Sequence, residues 1–429
     1  MNKPPTPDCR LTIPDSRFPF SDSRLPTPDS RLPIPATGVC ILIENLTVPL
    51  DRRMWQEART LAEAGYRVSV VCPKGRGFEQ TYEVREGIEI YRHGLWEASG
   101  PFGYFLEYAI ALVSQFRLAM KAYRRTRFRI IHAANPPDTM FLVALFFRLF
   151  GVRFIFDHHD LNPELYEAKF GRRGLFYRLV ALAERWTYRT AAISIATNES
   201  YREVALTRGG MEPGRAFVVR SCPDLKNLRI DPPKSELKNG RPLMGVYVGV
   251  MGPQDGLDLL LESIRYVVQG AGRHDVSFVL IGRGSETPAL EAWAREKGID
   301  QCVTFTGRVP DDEMWAYLSA ADFGVAPDPK NPMNDKSTMN KILEYMAFGL
   351  PVVLYDLTEG RRSAADAGLY ARPNDPKDFA QQMLKLLDSE ELRRTLGARA
   401  RKRIEDSLNW EIEKHELLKA YKTALSDEK

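Results

Sequence analysis

The sequence predicts an α/β protein built from two doubly wound parallel sheets. Three observations predict it. Short runs rich in Val, Ile and Phe alternate with helix-length amphipathic stretches from Gly38 onward, the pattern of repeated strand–helix–strand units. Val352, Val353 and Leu354 form an uninterrupted apolar run, as expected of a strand buried on both faces. A chain of 429 residues exceeds one ordinary core and suits two domains of about 150 to 200 residues each.

Composition narrows the class. With 44% hydrophobic and 27% charged residues, the chain reads as soluble and globular. No apolar run reaches the roughly 18 residues that span a bilayer. A formal net charge of +4 creates no global field of the kind that binds nucleic acid, so no nucleic-acid partner is expected. Five cysteines, odd in number and without a C-x-x-C pair, argue against a disulfide framework or zinc site and for a reducing cytoplasm.

In residues 1–36 an Asp-X-Arg triplet recurs every seven residues between prolines. The prolines exclude a helix and the apolar content is too low for a core, so a disordered extension is expected, without the apolar centre of a signal peptide. From Gly38 a strand (39–44), a helix (51–64, closed by Gly65) and a second strand (67–72) form the first parallel unit. Arg52 and Arg53 open that helix, either as solvated cations or as ligands for an acceptor phosphate. Phe105, Ala109, Leu112, Phe116 and Met120 then recur three or four residues apart, an amphipathic helix. Within 101–130 the cations Arg117, Lys121, Arg124, Arg125, Arg127 and Arg129 oppose only Glu107. The helix is therefore either core-packed or a peripheral contact with an anionic membrane at its inner face.

A strand (130–133), a helix (138–150) and a strand (153–156) lead to Asp157-His158-His159-Asp160, followed by Pro163-Glu164. Ligands of open parallel sheets lie beyond the carboxyl ends of strands, so His159 and Asp160 are expected in a cleft. Adjacent His and Asp lack the spacing of a zinc motif, and no metal is expected. A helix (175–189), strand (193–196), helix (199–208) and strand (217–220) complete a first domain over 37–225, and 226–242 reads as a linker.

The second domain, 243–405, opens with a strand (244–249) running into Gly249, Gly252 and Gly256, which allow backbone to approach a phosphate closely. A helix (257–268), a strand (277–281) ending in Gly282 and Arg283, a helix (288–297) and a strand (303–305) ending near Arg308 and Val309 follow. A helix (311–319) and strand (323–326) then reach the stretch Asn334–Asp356. Ser337 and Thr338 suit a helix start, Ile342, Leu343, Met346 and Ala347 form its buried stripe, and Gly349 ends it before the strand 352–354. The amides over Lys336, Ser337, Thr338, Met339, Asn340 and Lys341, the helix dipole and the two lysines make a seat for a diphosphate. Glu344, two turns after Lys336, offers a carboxylate to a sugar diol. The alternative is an ordinary amphipathic helix with solvated Lys and Glu. Two helices occupy 376–405, and a terminal helix spans Trp410–Leu425 within 406–429.

Glu344 followed by Phe348-Gly349-Leu350-Pro351-Val352-Val353 resembles the nucleotide-sugar site of the retaining glycosyltransferases of family four. The resemblance extends over about 38–425 and is strongest over 245–370. It implies the GT-B architecture: two Rossmann-like doubly wound domains facing a cleft, with the terminal helix crossing back to the first. It implies metal-independent transfer of a sugar from a nucleotide diphosphate donor, a co-substrate with no further cofactor, to a glycan or lipid-linked acceptor in surface polysaccharide or glycolipid biosynthesis. In that frame Glu344 meets ribose, Arg308 and Val309 the nucleobase, and His159 with Asp160 the sugar or acceptor, while Arg52, Arg53 and Glu164 lie on the acceptor side.

The sequence also departs from the family's pattern. Lys336 stands where the motif's first Glu belongs, and Val250 and Asp255 replace the usual Arg and Lys of the glycine loop. Lys336, Lys341 and Arg283 are the cations left for the diphosphate. These losses motivate a second reading, a non-catalytic nucleotide-sugar-binding partner subunit. A nucleotide-sugar epimerase on the same fold is a third.

Overall fold

The computed structural model describes residues 37–94, 101–171 and 173–426, so the extension expected at 1–36 lies outside them. The N-terminal half comprises β1 (Gly38–Leu42), α1 (Arg52–Glu63), β2 (Arg67–Pro73), β3 (Tyr82–Arg85), β4 (Ile88–His93), α2 (Pro101–Thr126), β5 (Ile130–Ala134), α3 (Phe141–Arg148), β6 (Arg153–His158), α4 (Asn162–Phe170), α5 (Leu175–Thr190), β7 (Ile193–Ala196), α6 (Glu199–Thr207) and β8 (Ala216–Val218). Its strands form one sheet in the order β3-β4-β2-β1-β5-β6-β7-β8. Every pair is parallel except the β3–β4 hairpin. That hairpin is absent from the sequence expectation. Its two-residue turn places both Glu86 and Gly87 at positive φ (50° and 79°), the twist a tight hairpin needs, but with Glu where Asn or Asp would have been a clear signal.

The C-terminal half comprises β9 (Leu243–Val248), α7 (Leu257–Arg265), β10 (Val276–Ile281), α8 (Thr287–Glu296), β11 (Val303–Gly307), α9 (Asp311–Ala320), β12 (Phe323–Ala326), α10 (Asn340–Ala347), β13 (Val352–Tyr355), α11 (Thr358–Ala364), β14 (Gly368–Ala371), α12 (Pro376–Asp388), α13 (Glu390–Ser407) and α14 (Trp410–Ser426). Its sheet runs β11-β10-β9-β12-β13-β14, all parallel. All four residues of β13 are buried. Val353 and Tyr355 join the core containing α7 and α12 residues, whereas Val352 and Leu354 join the one containing α10 and α13 residues. The period of two in the strand thus feeds two cores, one per face.

Helix α14 leaves this half and packs on the N-terminal sheet. Leu417, Ala420, Tyr421 and Ala424 form its buried stripe, in one cluster with residues of β1, β5, β6 and β7. Trp410 Nε1 donates to Thr60 Oγ1 at 2.8 Å, fixing the entry of the helix. On the opposite face of that sheet, Leu112, Phe116 and Met120 of α2 pack against the core. The stripe read from the sequence therefore faces the sheet, the core-packed alternative, and its cations from Arg117 to Arg129 are exposed. The Phe105 side chain lies outside the described residues.

Candidate active site

Strand β6 extends to His158, beyond the end expected from sequence, because Asp157 and His158 are buried members of the strand. Only His159 and Asp160 stand at its tip. Asp157 is the centre of a polar cluster beneath them. Arg53 Nη2 lies 3.0 Å from both Asp157 Oδ1 and Glu57 Oε1, and Arg53 Nη1 donates to the Val219 carbonyl at 2.8 Å. Arg53 is thus neither solvated nor free for an acceptor phosphate, correcting both sequence readings. Two interior carboxylates require a cation, and this arginine supplies it. Glu57, His132 and Asp157 approach closely enough to hold a metal ion, but the guanidinium already lies against both carboxylates.

His159 Nε2 lies 2.7 Å from Asp157 Oδ2 and 2.9 Å from Arg53 Nε. One ring nitrogen cannot donate and accept through the same site. With Nε2 protonated it donates to Asp157, and Arg53 Nε is left to Asp157 Oδ2 at 3.4 Å. Burial opposes a charge on His159, but Asp157 outweighs it and raises the pKa above the ordinary histidine value. His132 extends the cluster toward α14: its Nε2 is 3.3 Å from Asp157 Oδ2, and its Nδ1 is 2.6 Å from the Tyr421 hydroxyl. Burial likewise raises the pKa of Asp160. The amides of His159 and Asp160 both donate to Asn135 Oδ1, at 2.6 and 3.1 Å, and Asn135 Nδ2 donates back to the Asp160 carbonyl at 2.8 Å. Sequence reasoning missed Asn135, although Asn135-Pro136-Pro137-Asp138 at the carboxyl end of β5 marks a strand tip.

On the opposite wall, Lys336 and Glu344 do not share a helix. Lys336 ends a separate 3₁₀ turn, Asn334–Lys336, and Ser337 is extended. The amides of Lys336 and Ser337 are used within that turn, donating to Met333 and Asn334 carbonyls. Nor do Ser337 and Thr338 cap α10. Its N-cap is Met339, without a side-chain bond, so the helix start that begins at Asn340 is uncapped. Ser337 Oγ instead donates to the Met333 carbonyl at 2.9 Å, and Thr338 Oγ1 accepts from Asn198 Nδ2 at 3.1 Å.

Asn340, Lys341 and Glu344 occupy the outward face of α10, opposite the buried Ile342, Leu343 and Met346. Lys341 is not a free cation. Its Nζ lies 2.8 Å from Asp328 and 4.7 Å from the centre of the Tyr247 ring, both beneath the glycine loop. The exposed Arg283 and Arg308 at the tips of β10 and β11 have no carboxylate partner among the described residues. Val309 packs partly into the core below them.

The glycines serve close backbone contact between strand tips. A Cβ on Gly282 (φ +132°) would fall 1.8 Å from the Gly249 carbonyl oxygen, so neither tip could approach the other with a side chain there. Gly252 donates to Asp255 Oδ2 at 2.9 Å, turning the added anion into the loop, and Gly256 precedes α7 as its N-cap.

The walls meet through polar contacts. Arg52, exposed at the start of α1, bonds Asp311 and lies 3.5 Å from Glu344 Oε1. Lys336 Nζ lies 3.7 Å from Glu164, which is held by Arg208 at 2.8 Å. Asn198 Nδ2 donates to the Lys336 carbonyl at 2.9 Å, and Ser200 Oγ to Glu359 at 2.6 Å. Neighbouring residues of one helical turn therefore lie beside both candidates: Arg53 Nε is 2.9 Å from His159 Nε2, and Arg52 Nη1 is 3.5 Å from Glu344 Oε1.

Comparison with known proteins adds to this geometry. Residues 243–389 match the family described as glycosyl transferases group 1, and residues 50–222 the glycosyl transferase 4-like domain. The 2-deoxystreptamine glucosyltransferase of Streptomyces kanamyceticus is 25% identical over 56% of this chain and 63% of its own. The phosphatidyl-myo-inositol mannosyltransferase of Mycolicibacterium smegmatis is 28% identical over 44% and 47%, respectively. The chain thus spans about half the length of such curated relatives. Among solved structures, a sucrose-phosphate synthase from Thermosynechococcus elongatus superposes with a TM-score of 0.73 at 19% identity, covering 91% of this chain and 99% of that one. The Anabaena protein HepE, solved with UDP and glucose, gives 0.68 at 14% identity over 90% and 100%. At such identities the likeness carries the fold.

Proposed function

Since this chain belongs to the glycosyl transferases group 1 family and has the GT-B fold, we propose that it is a retaining glycosyltransferase. It moves a sugar from a nucleotide diphosphate donor to a glycan or lipid-linked acceptor, in the cytoplasm, for surface polysaccharide or glycolipid synthesis. In this reading residues 37–225 face the acceptor and 243–405 the donor. The observation that supports it is the pair of neighbouring arginines at the start of α1, with Arg53 Nε 2.9 Å from His159 Nε2 and Arg52 Nη1 3.5 Å from Glu344 Oε1, so that both candidates lie beside one helix start.

Glycosyl transfer develops negative charge on the departing diphosphate and positive charge on the sugar, so preorganised donors matter more than a strong base. The uncapped start of α10 offers amides and a dipole to the diphosphate, Lys336 and Arg283 add charge, and Glu344 holds the ribose diol. In this reading the amides, the helix dipole and these cations stabilise the departing diphosphate in place of a metal ion. His159, protonated through Asp157, donates toward the sugar or acceptor. Lys341 is moved from the direct phosphate ligands to a supporting place beneath the loop, because Asp328 claims its charge.

A screen of nucleotide sugars with glycan and lipid-linked acceptors tests the proposal. Transfer with retention of the anomeric configuration is expected. Tight donor binding with neither transfer nor hydrolysis would instead favour the partner-subunit reading, which the missing glycine-loop cations motivate.

A further inference from the structure

The sheet face that carries α2, α3 and α5 ends in an apolar surface that none of the described residues covers. On α5, Leu175, Leu179, Leu182 and Trp186 recur at four- and three-residue intervals, a helical stripe, yet all are exposed, by 70, 51, 48 and 46%. Buried Glu184, Thr187 and Tyr188 lie on the opposite side of the helix, so the stripe points away from the sheet. The adjoining α3 repeats the arrangement: Leu142, Leu145 and Leu149 are exposed, whereas Val143, Ala144 and Phe147 face the core. Thr187 Oγ1 donates to the Asp138 carbonyl at 2.6 Å, tying the last turn of α5 to the turn before α3, so that the C-terminal end of the α5 stripe, at Trp186, lies near the start of α3. Scattered exposed apolar residues are ordinary, but two exposed apolar stripes on helices in contact form a patch of the kind that marks an interaction site.

The charges around the patch select its partner. On α3 and α5 the exposed charged residues are Arg148, Arg178, Arg185 and Arg189, all basic, while Glu184, the sole acid of either helix, is buried. Arg178, Arg185 and Arg189 line one edge of the α5 stripe, and Arg189 lies 5.6 Å over the Trp186 ring. A second copy placed on this face would set arginines against arginines. Anionic headgroups would satisfy them, while leucines and an indole enter the acyl boundary.

We propose that the outward faces of α3 and α5 are a docking surface for an anionic lipid bilayer. The surface differs from the α2 segment suggested by sequence, whose Leu112, Phe116 and Met120 face the core. It stands independently of the sugar-transfer reading. A bilayer at this face would bring a lipid-linked acceptor to the half of the molecule that bears His159.

Co-sedimentation of the full chain with vesicles of phosphatidylglycerol and phosphatidylcholine, against phosphatidylcholine alone, tests it. Binding to the anionic vesicles is expected, about ten-fold weaker in Leu179→Gln/Trp186→Gln and in Arg185→Glu/Arg189→Glu. Bromine-labelled lipid should quench wild-type fluorescence more than that of Trp186→Phe. All altered side chains are exposed, and unchanged melting temperatures would verify that the variants fold. Wild type that ignores anionic vesicles, or variants that bind them as wild type does, would overturn the proposal. So would a wild-type dimer that these substitutions dissociate, which would assign the face to a second copy. Nucleotide binding unchanged across the set keeps this result separate from the donor site.

Discussion

The guanidinium of Arg52 lies 3.5 Å from the carboxylate of Glu344, so the side chain proposed to hold ribose is met by a cation from the facing wall. Arg52 is half-exposed and Glu344 less so. Exposed ion pairs contribute little, about 0.2 to 1 kcal/mol, and donor must displace this one. Arg52→Ala should therefore tighten nucleoside binding, by no more than about five-fold in titration calorimetry. A large loss of affinity would make Arg52 a ligand of the donor instead.

Its neighbour should behave differently. Arg53 is buried against Asp157 and Glu57, so Arg53→Met leaves interior carboxylates unpaired and should cost about 3 to 5 kcal/mol in chemical unfolding. Arg52→Ala should fall within about 0.5 kcal/mol of wild type. Equal effects would contradict the buried cluster.

The two lysines of the donor stretch should separate in the same way. Lys341→Met removes the partner of buried Asp328 and should destabilise the fold by about 3 kcal/mol. Lys336, 41% exposed, should leave stability unchanged when replaced by Ala, while weakening diphosphate about ten-fold and the bare nucleoside hardly at all. Calorimetric titration with both ligands, alongside thermal melts, distinguishes them.

His159 should titrate above about 6.5, followed by its ring protons in NMR, and Asp157→Asn should bring that pKa down. The raised value has a defined sign for stability. The protonated ring favours the folded state fully below the unfolded pKa, and that contribution fades as pH rises through the folded one. An unchanged His159 titration in Asp157→Asn would remove Asp157 as its cause.

Much of the architecture was legible because periodicity is local. The stripe Ile342, Leu343, Met346 and Ala347 fixed the buried side of α10, and thereby the outward place of Glu344. Pairing across the fold was not. Arg53 meets Asp157 more than a hundred residues away, and nothing near Arg53 in sequence distinguishes it from Arg52. Lys341 reads as a phosphate ligand until Asp328, at the tip of β12, folds against it. Periodicity also carries no direction: the α5 stripe has the spacing of a core face but points outward. The Glu86-Gly87 turn was missed for its weak residue signal.

The central claim is that one nucleoside diphosphate is held between Glu344 and the start of α10. Titration calorimetry of wild type and Glu344→Ala with uridine, guanosine and adenosine diphosphates, and with the corresponding nucleosides, tests it most directly. For the nucleotide that wild type binds, Glu344→Ala should weaken diphosphate and nucleoside by the same factor, about ten-fold or more, because the lost bonds are to ribose. Unchanged affinity for both ligands, or a loss confined to the diphosphate, would contradict the assignment of Glu344.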